Sequence, residues 1–180
     1  EQVSQLEEAP WETIDAEQHW VEYTLHDLTS SGSKRGIETS GTIVAVRGDC
    51  GIIQRCPECR RVLRDGACAE HGDMPGERDL RLRFVLDDGI SCASLLLNRE
   101  SSEALLGKSM EEVVEVFDRD GAETFVNEMR EQWFGRNVVM RGRAIVDEQG
   151  AMLMADQLEL DNTPVQQRSE KVREQWGVIA

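Results

Sequence analysis

Lysine is almost missing from this chain. Only Lys34, Lys108 and Lys171 occur, so arginine makes up the rest of the 20 basic residues. Against them stand 35 acidic residues, for a net charge of −15, and that balance argues against a surface that coats nucleic acid everywhere. Aromatic residues are few as well, at 5% of the chain, which leaves little material for broad stacking platforms. Histidine occurs three times and no nucleophile–base spacing is visible, so the chain is not expected to be an enzyme. No apolar run approaches the roughly 20 residues of a membrane span, and no secretory leader pattern is present. The chain begins at Glu1 rather than Met, as a fragment or processed chain would.

What is there fits one domain of ordinary size with some appendage: 180 residues, of which 39% are hydrophobic. The acid excess reads as adaptation to high salt, where the Debye length falls to about 3 Å at 1 M and self-repulsion is screened. Five cysteines, four of them in metal-binding spacing, point to a reducing, intracellular (cytoplasmic) setting.

Those four positions hold the densest signal. Cys56-Pro57-Glu58-Cys59 is followed, after eight residues, by Cys68-Ala69-Glu70-His71. Each pair forms a tight turn that aims two soft ligands at one point, and two such turns complete the tetrahedron favoured by Zn²⁺. No position remains for water, so the expected zinc is structural. Asp65-Gly66 allows a short hairpin between the pairs, and Gly72 lets the chain leave with positive φ. A redox dithiol would place its first cysteine at a helix N-terminus, and residues 60–66 are too short for that helix. A nucleobase-deaminase site needs a His-x-Glu upstream, and none is present.

Along the chain, residues 1–36 read as an acidic linker or N-terminal extension, with a possible short strand at Trp20–Leu25 and a break at Ser30–Ser33. His19 and His26 read as surface or packing residues. From residue 37 the pattern is β: Gly41–Arg47, a turn or bulge at Gly48-Asp49-Cys50-Gly51, then Ile52–Arg55 leading into the first cysteine pair. Leu80, Leu82, Phe84 and Leu86 alternate with Arg81, Arg83 and Val85, giving one apolar and one partly basic face. Asp87-Asp88-Gly89 turns into a strand from Ile90 to Leu97, in which Cys92 is expected to be a buried thiol.

A helical block follows. Asn98 caps a helix ending at Gly107, Ser109 and Glu112 form a capping box for Met110–Phe117, and Asp120 and Glu123 suggest another start for Gly121–Phe134. Trp133 and Phe134 read as packing residues. Strands return at Asn137–Val146 and Met152–Leu160, and Pro164 closes the domain over 37–162. Residues 163–180 form a tail with a helix over 165–176 carrying Val172 and Trp176. The fold class is mainly β with a helical insert (α+β). The order predicts a five-stranded OB-fold barrel, with a zinc-ribbon insertion at 56–72 between strands one and two and helices between strands three and four.

Residues 51–63, 66–72 and 79–81 and the turn Leu86-Asp87-Asp88-Gly89 together resemble the zinc-bearing OB domain of archaeal replication protein A. The acidic, Lys-poor composition is similar to that of a halophilic member. This resemblance covers roughly residues 37–160. It implies single-stranded DNA binding in replication, repair and recombination without catalysis, in company with other replication protein A subunits or domains.

In such a barrel the binding groove crosses strands two and three, edged by the loops joining strands one to two and four to five. Arg81 and Arg83 are the leading groove candidates. Arg60, Arg61 and Arg64 on the zinc hairpin, and Arg141 and Arg143 on strand four, are the candidates at its rim. Two other readings compete: a scaffold domain assembling through the helical block and C-terminal helix, and a zinc-ribbon transcription or RNA-binding factor.

Overall fold

The computed structural model describes residues 20–148, 150–175 and 177. Its elements run β1 (Val21–Glu22), α1 (Leu25–Ser31), β2 (Lys34–Val46), β3 (Gly51–Arg55), β4 (Ala67–Cys68), β5 (Gly72–Asp73), β6 (Glu77–Asp87) and β7 (Cys92–Leu97). There follow α2 (Arg99–Leu106), α3 (Met110–Asp120), α4 (Ala122–Trp133), β8 (Asn137–Asp147), β9 (Gly150–Leu160) and α5 (Val165–Gln175). The protein is mainly β with some helices. No helix among the described residues is long and apolar enough to cross a membrane.

Seven strands form one sheet in the order β1-β2-β8-β9-β7-β6-β3, and an added pairing of β2 with β6 closes five of them into a ring. Around the ring only β7 and β9 run parallel; the other neighbours are antiparallel. The segment between β3 and β6 leaves the ring as a separate lobe, and α2 to α4 lie between β7 and β8.

Alternation explains the interior. Leu80, Leu82, Phe84 and Leu86 are all 0% exposed, while Arg81, Arg83 and Val85 point to the other face of β6. Ala93, Leu95 and Leu97 of β7, Val138 and Met140 of β8, and Leu153 and Ala155 of β9 complete the lining. Phe125, Val126, Met129 and Trp133 bury one face of α4 in the same core, where the Trp133 ring lies 6.2 Å from that of Phe84. Asn98 caps α2 and Ser109 with Glu112 boxes the start of α3, because each side-chain oxygen accepts an otherwise unpaired N–H.

Several local expectations need correction. Trp20–Leu25 is a strand only at Val21–Glu22; Thr24 instead caps α1, exchanging hydrogen bonds with Asp27. Leu25 and Leu28 of α1 are fully buried, and the Leu25 N–H donates to Asp88 Oδ2 at 2.8 Å. Residues 20–36 thus belong to the folded unit and not to a linker; the acidic stretch before them lies outside the described residues. The first ring strand begins at Lys34, seven residues before the expected start at Gly41. Asp120 does not cap α4, whose N-cap is Gly121 with no side-chain bond; Asp120 binds Arg119 instead, at 2.7 and 2.9 Å. Cys92 is exposed, since the pleat that buries Ala93 turns its neighbour outward. Trp133 is buried as expected, but Phe134, at the end of α4, is 59% exposed. Trp176, paired with Val172 in the expected helix, lies outside the described residues.

Because α1 packs on the ring, Leu28→Ala is expected to lower unfolding free energy by about 2–5 kcal/mol, the usual range for emptying a core leucine site. Urea denaturation measures it, and a loss below about 1 kcal/mol would return residues 20–36 to linker status.

Candidate metal centre and basic cleft

The lobe is built from two tight turns. In the first, the Arg60 N–H donates to the Cys56 carbonyl at 2.9 Å and the Cys56 N–H to the Arg61 carbonyl at 2.8 Å, with Arg60 held at φ 62°. This fold-back brings Cys56 and Cys59 together. Between the turns, Arg64 and Ala67 exchange both backbone hydrogen bonds, at 2.9 and 3.0 Å, across Asp65 (φ 51°) and Gly66 (φ 82°). Two successive left-handed residues make the tight hairpin turn that an Asp-Gly pair favours. The second turn joins β4 to β5, where Cys68 pairs with Gly72 and His71 precedes it.

Cys56, Cys59, Cys68 and His71 converge, with one ligand atom from each lying within 4.8 Å of all the others. His71 Nδ1 is 3.5 Å from Cys56 Sγ and 3.6 Å from Cys68 Sγ, and Cys59 Sγ is 3.6 Å from Cys68 Sγ. Zn–S bonds of about 2.3 Å and Zn–N bonds of about 2.0 Å at tetrahedral angles require edges of about 3.5–3.8 Å. The donor set and its spacing therefore fit zinc. His71 turns its other nitrogen, Nε2, toward Glu58 Oε2 at 3.3 Å. A carboxylate there accepts the Nε2 proton and leaves the Nδ1 lone pair for an ion.

The thiol side of the site agrees with that use: the backbone N–H of Glu70, helped by the backbone N–H and side chain of His71, draws the Cys68 thiol down to about 6. Hydrogen bonds to Cys68 and Cys56 raise His71 above its ordinary value, a proton that an incoming ion would have to displace. Met74 Sδ lies 3.2 Å from Cys56 Sγ, one wall of a small core of Cys56, Leu63 and Cys68. Neither Glu58 nor Met74 stood out in the sequence, because a carboxylate or thioether near cysteines carries no spacing signature.

The lobe faces the ring across a cleft of about 1030 Å³. Arg61, Arg64 and Leu63 line the lobe side, and Arg81, Arg83, Leu96 and Met152 line the ring side. Phe117 of α3 closes one flank, with its ring 5.8 Å from Phe125 in an edge-on arrangement. Phe117 is a half-buried aromatic that sequence reading passed over as part of a helix.

The seven arginines singled out from sequence have different surroundings. Arg81 is only 8% exposed, and its Nη2 donates to Asp49 Oδ2 at 2.6 Å. Arg83 donates to the same oxygen at 2.8 Å. Arg61 pairs with Glu70 at 2.6 Å, and Arg60 with Glu77. Arg64 is exposed and has no carboxylate partner among the described residues. Arg141 pairs with Glu38 at 2.6 Å and Glu159 at 3.4 Å, whereas Arg143 is exposed. Arg60, Arg141 and Arg143 are not among the residues lining this cleft.

Asp49 reaches both guanidinium groups because of where the chain passes. β2 ends its pairing with β6 at Val46–Phe84, and β3 begins its own at Gly51–Arg81. The turn between them must cross Arg81 and Arg83. Burial pushes the Asp49 carboxyl up, but the Arg83 hydrogen bond and the two positive charges outweigh it and hold the group below its usual range.

Replacing Cys59 by Ser is expected to release a bound zinc ion and to speed amide exchange across residues 56–76, while the ring strands keep their protection. Chelation should do the same in the unaltered protein. Unchanged exchange in the lobe after the metal has been removed would show that it needs no ion.

No protein-family model matches the sequence, and no curated protein matches it. Solved structures do. A chain in the structure of a replication protein A heterotrimer bound to ssDNA superposes with a TM-score of 0.54 at 12% identity, over 88% of this chain and 40% of that one. This chain therefore spans less than half the length of that neighbour. A chain of yeast RPA bound to ssDNA superposes with a TM-score of 0.50 at 15% identity, over 88% of this chain and 97% of the other. At such identities the likeness is one of fold.

Proposed function

We propose that this protein is a single-stranded DNA-binding domain of the replication protein A type, built as an OB barrel with a structural zinc lobe between its first two strands. The observation that carries this reading is the cleft between lobe and ring, where Arg61, Arg64, Arg81 and Arg83 meet beside Phe117. Guanidinium groups along a groove engage phosphates, and an aromatic ring at its flank gives a base a surface to stack on. The strand topology and the two fold neighbours from ssDNA-bound structures support it. The protein would act by binding alone, without catalysis, and zinc would hold the lobe in place as one wall of the cleft. A halophilic, archaeal origin is part of the proposal, resting on the excess of 35 acidic over 20 basic residues.

A second role has its own observation. Val165 and Val172 of α5 are 74% and 40% exposed, leaving an apolar edge on the last helix. Assembly with partner subunits through α5 would cover it.

Fluorescence anisotropy with labelled oligo(dT) and a duplex control, in high salt, tests the main reading. Clear preference for the single strand is expected. Phe117→Ala should weaken that binding by about 1–3 kcal/mol, the worth of one stacked base. Thermal unfolding must accompany the measurement, because Phe117 also packs on Phe125. The decline with salt should be shallow, about one or two phosphates' worth at about −0.7 each on the log–log plot. Equal affinity for duplex, or assembly with partners and no binding to DNA, would reject the reading; tighter binding to oligo(U) would move it to RNA.

A further inference from the structure

The two arginines on β6 already hold an anion, and it comes from the chain itself. Asp49 Oδ2 accepts hydrogen bonds from Arg81 Nη2 at 2.6 Å and from Arg83 Nη1 at 2.8 Å. One carboxylate oxygen between two guanidinium groups stands where a phosphate oxygen would. The fit is incomplete. Arg81 Nε is buried, within a side chain only 9% exposed, and has no hydrogen-bond partner among the described residues. A buried N–H donor on a charged group left unpaired is costly, and a further acceptor oxygen within its reach would relieve it.

The anion is also the movable part. The Asp49 side chain is 45% exposed and sits in the turn between β2 and β3, whereas Arg81 is fixed within β6. Rotation of that one short side chain would free both guanidinium groups from its carboxylate, leaving the Asp49 carbonyl, 3.5 Å from Arg81 Nη2, in place with the turn.

We infer that Arg81 and Arg83 form a phosphate subsite which the Asp49 carboxylate occupies in the free protein, so that an incoming phosphodiester or phosphate binds by displacing it. This deepens the proposed DNA-binding role and rests on it for the identity of the natural ligand, though not for the chemistry of the subsite. The exchange is ionic: the guanidinium hydrogen bonds pass from carboxylate to phosphate oxygens, and no covalent bond changes. The carboxylate then acts as a threshold. Chloride and isolated weak anions do not dislodge it, whereas a ligand that brings several oxygens in fixed geometry, or is tethered through neighbouring contacts, does.

Substitution of Asp49 tests this with two ligands. Asp49→Asn keeps the shape and removes the competing charge; Glu128→Gln, on the exposed face of α4, makes the same change of net charge elsewhere. Asp49→Asn should bind oligo(dT) about tenfold more tightly than wild type in 0.1 M salt, the effect expected of relieving one close charge pair, and Glu128→Gln should not. In parallel, the side-chain Nε–H resonances of Arg81 and Arg83 are followed by NMR while inorganic tripolyphosphate is added. In wild type they should move only at high tripolyphosphate, and in Asp49→Asn at about tenfold less. If oligo(dT) binds neither protein but tripolyphosphate moves both resonances with that offset, the subsite stands and the DNA reading falls. Equal affinities in wild type and Asp49→Asn would overturn the inference, as would gains matched by Glu128→Gln. Should Asp49→Asn fail to fold, the wild-type titration decides alone: Arg81 and Arg83 resonances unmoved by saturating tripolyphosphate would show that Asp49 is a permanent counter-ion.

Discussion

One strand shared between two neighbours is the constraint on which the molecule depends. β2 pairs with β8 from Lys34 to Thr42 and with β6 from Thr42 to Val46, so the ring closes where it changes partner. Close approach is required there. A Cβ on Gly41 would lie 2.5 Å from the Asp87 carbonyl oxygen, nearer than any side-chain carbon can come. The shift in register between Ile43 and Ala45 adds the bend that carries the strand across. β6 is divided in the same way, pairing with β2 over its last residues and with β3 over its first. Ring closure thereby fixes the direction in which β3 leaves, and with it the position of the lobe. Arg81 and Arg83 fall at this division of β6, beside the turn that carries Asp49.

The lobe depends on a different force. Its buried apolar side chains are few: Cys56, Leu63 and Cys68, with Cys59 and Met74 partly covered beside them. An apolar cluster of that size cannot offset the conformational entropy of some twenty residues at about 1–2 kcal/mol each. A structural zinc site contributes about 10–16 kcal/mol of apparent binding free energy, and an ion held by Cys56, Cys59, Cys68 and His71 would change the balance for a segment anchored at both ends by β3 and β6. Since Arg61, Arg64 and Leu63 belong to this segment and line the cleft, the metal centre and the basic cleft share one support. Disorder in the lobe removes a wall of the cleft, which Cys68 itself helps to line.

Much of this was legible in the residues, and the failures have physical causes. Two ligand pairs at fixed spacing announce their own turns, because the geometry is local. Strand alternation in Leu80–Leu86 and the caps at Asn98 and Ser109 are local as well. α1 escaped because Leu25 and Leu28 are spaced for one helical turn only, too short to show a period, and what buries them is the distant Asp88 loop and the strands β8 and β9. Cys92 was misjudged since a thiol at a strand's first residue takes its face from register, which one sequence does not reveal. Arg81 lay on the face expected of it. Its near-complete burial follows from the Asp49 turn folding over it, a long-range contact with no signature beyond a carboxylate between two glycines.

The acidity of the chain and the basic character of the cleft are two sides of one arrangement. In a chain with so many carboxylates a guanidinium group usually finds one: Arg55 pairs with Asp79, Arg78 with Asp118, Arg99 with Glu103, and Arg141 with two acids at once. Where such pairs are exposed, as Arg78–Asp118 is, they add little to stability, about 0–1 kcal/mol each. Their effect is on the field, since each neutralises a cation that would otherwise attract polyanions to the wrong face. Arg64, without such a partner among the described residues, and the Arg81–Arg83 pair, which shares a single carboxylate, leave the cleft less negative than its surroundings. Arg47, Arg136 and Arg143 also lack an acidic partner among the described residues and lie outside the cleft. What sets the cleft apart is therefore the convergence of Arg61, Arg64, Arg81 and Arg83 on one groove, and charge density as a whole need not be positive for an anion to find them.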